Sequence, residues 1–287
     1  METLGGWLVQ PGVLPWVALA FGLCIGSFLN VVIHRLPRMM DHEWRAQCAE
    51  LEGREAPAAP RYNLLVPRSA CPSCSRMIRA HENIPVASWL LLRGRCTGCG
   101  ARIAMRYPVV EIVGGAIAAY AAARFGFSLA AAGAALFAWT LLALALIDYD
   151  TQFLPDDLTL PLLWAGLAFN LAGTFAPLGA AVIGAMAGYA SLWLVYWGFK
   201  LATGKEGMGY GDFKLLAAIG AWLGWAALPL VILLSSVVGA TIGIAMIVAR
   251  RHGRDKPMPF GPYLAAAGAI ALFWGPEVSR RWLPALA

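Results

Sequence analysis

Two short stretches place aspartates beside long apolar runs. L-I-D-Y-D-T-Q-F-L-P-D-D carries Asp148, Asp150, Asp156 and Asp157, and G-M-G-Y-G-D-F-K carries Asp212. Asp148 ends the apolar run at Ile147, and Asp212 precedes the next one. A carboxylate at the edge of a bilayer is costly, so such acids are functional candidates. Two apposed carboxylates cannot both ionise cheaply and share a proton. The ionised member can then take a proton from water while the protonated member polarises a peptide carbonyl, which is aspartic protease chemistry. Gly207, Gly209 and Gly211 around Asp212 would let an extended substrate backbone lie close. The competing reading is helix-end solvation: an Asp in the first turn of a helix is stabilised by the dipole, which suits Asp156, Asp157 and Asp212. Asp148 follows its span and does not fit that role. Proton relays use intramembrane acids too.

A second constellation is C-P-S-C at Cys71 and Cys74 with C-T-G-C at Cys96 and Cys99. Each C-x-x-C knuckle aims two thiolates at one point, and two knuckles complete the tetrahedron that Zn²⁺ accepts. Gly98 and Gly100 suit the turns. Two disulfides or idle thiols are the alternatives, and a reducing compartment disfavours the first. With all four positions filled by Cys, the metal is structural. Cys24 reads as a small apolar filler within a span and Cys48 as a free surface thiol. Glu111, four residues into an apolar stretch, reads either as a partner of Arg102 or Arg106 or as a site for a cationic ligand.

The elements that must hold these residues are helices in a membrane. Of 287 residues 60% are hydrophobic and 13% charged, against about 25% charged in an ordinary soluble domain. Disorder, a coiled coil and a cytosolic enzyme are excluded. A span needs about 20 mostly apolar residues. Eight stretches qualify, at 14–33, 108–123, 129–147, 158–176, 179–199, 213–225, 228–249 and 259–276, the second, sixth and eighth being short. The expected fold is an all-α polytopic membrane protein of about eight transmembrane helices. Its divisions are a tail and first helix at 1–33, a cytoplasmic insertion at 34–107 with the tetracysteine zinc site, and a bundle at 108–287. Within the insertion an amphipathic helix is expected from Asp41 to Glu52, then a Pro/Ala-rich link at 56–60. With the N-terminus outside, 19 of the 22 Lys and Arg residues fall on the inside, as the positive-inside rule requires. The net charge of +6 is therefore a topology signal. Nucleic acid is not an expected partner, because no basic patch is interleaved with stacking aromatics.

These motifs in order resemble the type IV prepilin peptidase family. The resemblance runs through G-S-F-L-N-V-V-I-H-R-L-P at 26–37, both C-x-x-C pairs, E-N-I-P at 82–85 and R-Y-P-V-V-E at 106–111. It continues through the Asp148 segment ending L-P-D-D-L-T-L-P, G-x-G-D at 209–212 and P-F-G-P-Y at 259–263. It implies a bacterial inner-membrane enzyme whose catalytic aspartates are Asp148 and Asp212, the choice of Asp148 over Asp150 resting on the family motif. It implies cleavage of a basic leader from prepilins and type II secretion pseudopilins at the cytoplasmic face. It also implies N-methylation of the new N-terminal residue with S-adenosylmethionine, and zinc on Cys71, Cys74, Cys96 and Cys99. Nothing in the residues alone announces an S-adenosylmethionine site; Glu82, Gly94 and Glu111 are the candidates for it. The alternatives are a peptidase without the methyltransferase activity, a helical-bundle transporter or proton carrier, which would carry its acids at mid-span, and an assembly scaffold with incidental aspartates. The expected partners are prepilins, pseudopilins and membrane lipid.

Overall fold

The structure, a computed structural model, describes residues 10–54, 61–249 and 258–282. Among the described residues nine α-helices follow one another: α1 (Leu14–Leu51), α2 (Ala87–Leu91), α3 (Arg106–Phe125), α4 (Leu129–Thr151), α5 (Asp156–Leu171), α6 (Leu178–Thr203), α7 (Tyr210–Leu223), α8 (Leu228–Val248) and α9 (Gly261–Trp282). Among the described residues there is no extended strand, only two isolated bridges in the insertion. Each of the eight expected apolar stretches is helical over most of its length, though the helix expected over 158–176 ends at Leu171. Among the described residues five helical stretches are long and apolar enough to cross a membrane, namely α1, α3, α4, α6 and Trp225–Met246, with a shorter apolar one at Gly261–Gly275. Helices α5 and α7 have 16 and 14 residues, and at about 1.5 Å per residue neither covers a hydrocarbon core of about 30 Å.

The first helix departs from the expected boundary. The amphipathic segment from Asp41 onward is no separate element but the continuation of α1, which runs 38 residues with Pro37 inside it. Residues 38–51 are mostly good helix formers without a glycine, and one proline removes only one backbone hydrogen bond. At about 57 Å, α1 is nearly twice as long as the hydrocarbon core is thick. The 33/34 boundary thus falls inside a helix. The 56–60 link and the first nine residues lie outside the described residues. Cys24 sits on the outer face of α1 rather than inside a core.

By contacts the chain divides into two compact units, Met1–Ala135 and Leu136–Ala287. In the first, α1 packs against α3 at the distance that glycines allow. A Cβ on Gly22 would lie 2.6 Å from the Gly114 carbonyl oxygen, and one on Gly26 would lie 2.6 Å from the Glu111 Cα. Small residues at such crossings let helix backbones touch where lipid gives no hydrophobic drive.

In the second unit α7 is the central helix, with all residues from Leu215 to Trp222 buried. Helices α5, α6 and α9 pack against it. A Cβ on Gly220 would come 2.2 Å from the Gly184 carbonyl oxygen of α6. At the far end of α7 the rings of Phe137, Phe169 and Phe175 surround Trp222, with centroids 5.1–5.6 Å away, and its indole N–H donates to the Leu162 carbonyl at 2.8 Å. Buried Asn170 donates to the carbonyls of Ala221 and Trp222 and accepts from the N–H groups of Phe175 and Ala176. All four of its hydrogen-bonding positions are used, so the end of α7 is fixed without a buried unpaired group. The depth of these contacts makes α7 the reference on which Asp212 is mounted.

Gly220→Val should therefore push α6 from α7 and lower the melting temperature of the detergent-solubilised protein, a cost of about 1–3 kcal/mol for an overpacked contact. Gly198→Ala, also in α6 but with nothing near its Cβ position, should leave it unchanged or slightly raised.

Candidate active site and metal centre

Asp148 lies in the last turn of α4 and Asp212 in the first turn of α7. Both are buried, at 5% and 6% exposure, whereas Asp150 and Asp157 are exposed. The charge of Asp148 reaches Asp212. The structure therefore separates Asp148 from Asp150 on burial, a distinction that the D-Y-D spelling leaves open.

Asp148 does cap a helix, though not its own. Oδ2 accepts the N–H of Gly261, the first residue of α9, at 2.9 Å. A helix start presents unpaired N–H groups and the positive end of the dipole, both of which favour a carboxylate. A Cβ on Gly261 would lie 2.6 Å from that same oxygen, so the contact requires glycine. P-F-G-P-Y was visible in the sequence, but the role of its glycine was not, because 113 residues separate the two partners.

The turn bearing Asp212 is fixed on both sides. Lys214 donates to both oxygens of Asp156, the first residue of α5, at 2.8 and 2.6 Å. Tyr210 and Phe213 stack against Tyr196 of α6. Ahead of it, Glu206 accepts from Lys200 at 2.9 Å and from Tyr196 at 3.2 Å, closing the 204–209 loop. The glycines differ from expectation. The space at Gly211 is filled by Leu154 and that at Gly207 by the Phe199 ring, and only Gly209 stays open.

In the first unit the four knuckle cysteines converge. Their sulfur atoms lie within 4.8 Å of one another, with Cys71–Cys99 at 3.8 Å and Cys74–Cys96 at 4.0 Å. A tetrahedral Zn²⁺ with Zn–S of about 2.3 Å has an S–S edge of about 3.8 Å, while a disulfide needs about 2.05 Å. All four are free thiols, so the residues present fit a metal and not two disulfides. The N–H groups of Ser73 and Cys74 bring the Cys71 thiol down to about 6. Cys99 has a favourable N–H from Ala101, yet crowding by the thiols of Cys74, Cys71 and Cys96 pushes it up to about 11. Four sulfur atoms this close can hold a cation among them, which they bind as thiolates.

The three residues expected at a second site all lie in this unit and have structural tasks. Glu82 accepts the Arg79 N–H at 2.9 Å, the Thr97 hydroxyl at 2.7 Å and the Arg76 guanidinium at 2.9 Å. Arg76 also donates to Thr97. These bonds tie the first knuckle to the second and hold the Glu82 carboxyl down at about 2. Gly94 has φ +64° under the ring of Trp89, whose indole donates to the Ile103 carbonyl. Glu111 accepts the Val86 N–H at 2.7 Å. Val86 has φ +59°, a strained conformation for a β-branched residue, and Glu111 holds it there.

Curated relatives match nearly the whole of this chain. A protein of Aeromonas salmonicida named prepilin leader peptidase/N-methyltransferase is 57% identical over 277 residues, covering 94% of this chain and 95% of its own. The chain belongs to the type IV leader peptidase family. Proteins with the same name from Stutzerimonas stutzeri and Pseudomonas aeruginosa are 56% and 55% identical, covering 93% and 91% of this chain and 92% and 91% of their own. The model of the bacterial peptidase A24 N-terminal domain matches residues 20–125, and that of the type IV leader peptidase family matches residues 135–244. No solved structure matches the chain. The tetracysteine cluster, Glu82, Gly94 and Glu111 fall in the first matched stretch of this chain, and both buried aspartates in the second.

Because Glu82 is ionised far below the usual glutamate range, its brace is at full strength above a pH of about 4 and weakens as the pH falls from there towards about 2. Glu82→Gln should mimic the acid state at neutral pH. Trypsin should then nick the module faster at Arg76 and Arg79, whereas Thr97→Ser, which keeps the hydroxyl, should not change the rate.

Proposed function

We propose that this protein is a multi-pass bacterial inner-membrane enzyme that cleaves the leader from prepilins with Asp148 and Asp212 and then methylates the new N-terminus. The observation that carries the reading is the pair of buried carboxylates, one of them bonded to the start of α9. Asp148, which accepts the Gly261 N–H, carries the negative charge, and Asp212 holds the shared proton. Asp148 takes a proton from water as the water oxygen bonds to the scissile carbonyl carbon, and Asp212 gives its proton to the carbonyl oxygen. When the tetrahedral diol collapses, the C–N bond breaks, the leaving amine takes the proton from Asp148, and a diol hydroxyl returns one to Asp212. No metal takes part in this step.

Cys71, Cys74, Cys96 and Cys99 would hold Zn²⁺, which fixes the two knuckles relative to each other and leaves no open coordination position. The amine released by cleavage is the nucleophile of the second reaction, so cleavage comes first. S-adenosylmethionine supplies the electrophilic methyl group. Among the expected residues, Glu82 and Gly94 contribute by shaping the loop. Glu111 combines a carboxylate at a helix crossing with a grip on Val86, and it is the acid suited to hold a cationic amine before its proton is lost. The insertion is assigned to the cytoplasm by the distribution of basic residues, and pseudopilins of type II secretion join prepilins as substrates.

The test is incubation of the solubilised protein with a prepilin and S-adenosylmethionine, with the product weighed by mass spectrometry. The wild type should give a shortened, methylated chain. Asp148→Asn and Asp212→Asn should each lower cleavage by at least about 10³-fold, a catalytic-group loss, with unchanged melting temperature, and Asp150→Asn should be mild. Gly261→Ala should also lose cleavage, because its methyl group displaces the Asp148 carboxylate. Near wild-type cleavage in either Asn variant would remove the dyad from the mechanism.

Glu111→Gln keeps an acceptor for Val86 and removes the charge. It should leave cleavage within a few-fold while methylation of the cleaved product drops by more than about tenfold, the order of one lost charge-assisted contact. Parallel loss of both activities would argue for a purely structural Glu111.

A further inference from the structure

The metal module has a charge imbalance that neither the zinc site nor the aspartates use. Between Arg61 and Tyr107 the sequence has eight arginines and one acid, Glu82. That acid is spent on Arg76. Arg61, Arg68, Arg79, Arg93, Arg95, Arg102 and Arg106 are exposed.

Three of these arginines are drawn together beside exposed leucines. Helix α2 ends with Leu90 and Leu91, which are 61% and 83% exposed, and Arg93 and Arg95 follow. A bridge sets Arg95 opposite Arg102, reinforced by the Ile103 N–H donating to the Gly94 carbonyl at 2.8 Å. Trp89 stacks over Gly94 and bonds to Ile103, which makes the base of the patch rigid. Like charges placed directly opposite across a bridge repel, and an external anion offsets that repulsion. The patch is also tethered. Arg106, four residues past Arg102, is the first residue of the spanning helix α3, so at most about 14 Å of chain separates Arg102 from the start of that helix. Leucines beside guanidinium groups so close along the chain to a spanning helix match the composition of a surface that lies in a bilayer interface. The partner class that fits is anionic lipid. A basic leader would be repelled, and two leucines offer no stacking platform for nucleic acid.

We propose that Leu90, Leu91, Arg93, Arg95 and Arg102 form a face that seats the metal module on anionic phospholipid headgroups, with the two leucines entering the acyl boundary. The face restrains the module from a second direction, in addition to its covalent link to α3.

The test uses the full-length, zinc-replete protein in nanodiscs of phosphatidylcholine alone or of phosphatidylcholine mixed with phosphatidylglycerol, with amide hydrogen exchange read over residues 87–95. Exchange should be at least about fivefold slower with phosphatidylglycerol, the factor that corresponds to about 1 kcal/mol for one basic group near an anionic surface. High salt should remove much of the difference. The combined variant Arg93→Gln, Arg95→Gln, Arg102→Gln should lose it, and Leu90→Ser with Leu91→Ser should reduce it. Unchanged exchange over residues 71–77 in these variants shows that the knuckle remains folded. Equal exchange of the wild-type protein in the two lipids overturns the proposal, and that comparison needs no variant. Equal protection by inorganic phosphate added to phosphatidylcholine nanodiscs also overturns it, in favour of a small-anion site. Protection of residues 87–95 by a soluble leader peptide in phosphatidylcholine nanodiscs would overturn it in favour of a peptide surface.

Discussion

Two carboxylates buried within range of each other's charge are the constraint on which the second unit is built. Left alone, such a pair would drift apart or draw in water, because burial and mutual repulsion both oppose it. The fold offsets this from outside the pair. The start of α9 directs an N–H at Asp148, and the Gly261 that supplies it has no side chain to obstruct the approach. Lys214 is two residues from Asp212, so it faces away from it around the helix and binds Asp156 instead of neutralising the acid beside it. A positive charge is thus engaged by Asp156 and not by the buried Asp212 two residues away.

Rigidity at Asp212 comes from distant packing. Helix α7 is short, but Asn170 and Trp222 fix its far end, and Gly184 and Gly220 bring α6 into backbone contact along its length. Aromatic side chains then fill the near end around Tyr196. The catalytic role proposed for Asp212 needs positional precision of a fraction of an ångström, and a buried helix anchored along its whole length supplies it better than a loop would.

The metal module solves a different problem. Residues 61–105 have almost no buried apolar side chains of their own, Cys71 being the exception, and a segment this small cannot fold on a hydrophobic core. Its order comes from polar connections: four converging sulfurs, the Glu82 brace between knuckles, and Glu111 of α3 gripping Val86. The strained backbone at Val86 and Arg93 is sustained by these bonds rather than by packing.

By itself the sequence determined the membrane class, the eight helical stretches and the gathering of the cysteines into one cluster, because apolar length and C-x-x-C spacing are local patterns along the chain, and its ordered motifs singled out Asp148 and Asp212 as the acids to propose. It also suggested a helix break after the first span and free space at all three glycines around Asp212. Both expectations yielded to the tertiary structure: α1 continues because nothing in residues 38–51 stops a helix, and Leu154 and Phe199 arrive from elsewhere to fill Gly211 and Gly207. Only the tertiary structure decided that Gly261 serves Asp148, that Lys214 is engaged with Asp156 and that Glu82 spans two knuckles. These pairs are 113, 58 and up to 15 residues apart. The hydrogen bonds that set them are short-ranged in space, with no periodicity that a linear reading can detect, so they exist only once helix packing has brought the partners within about 3 Å.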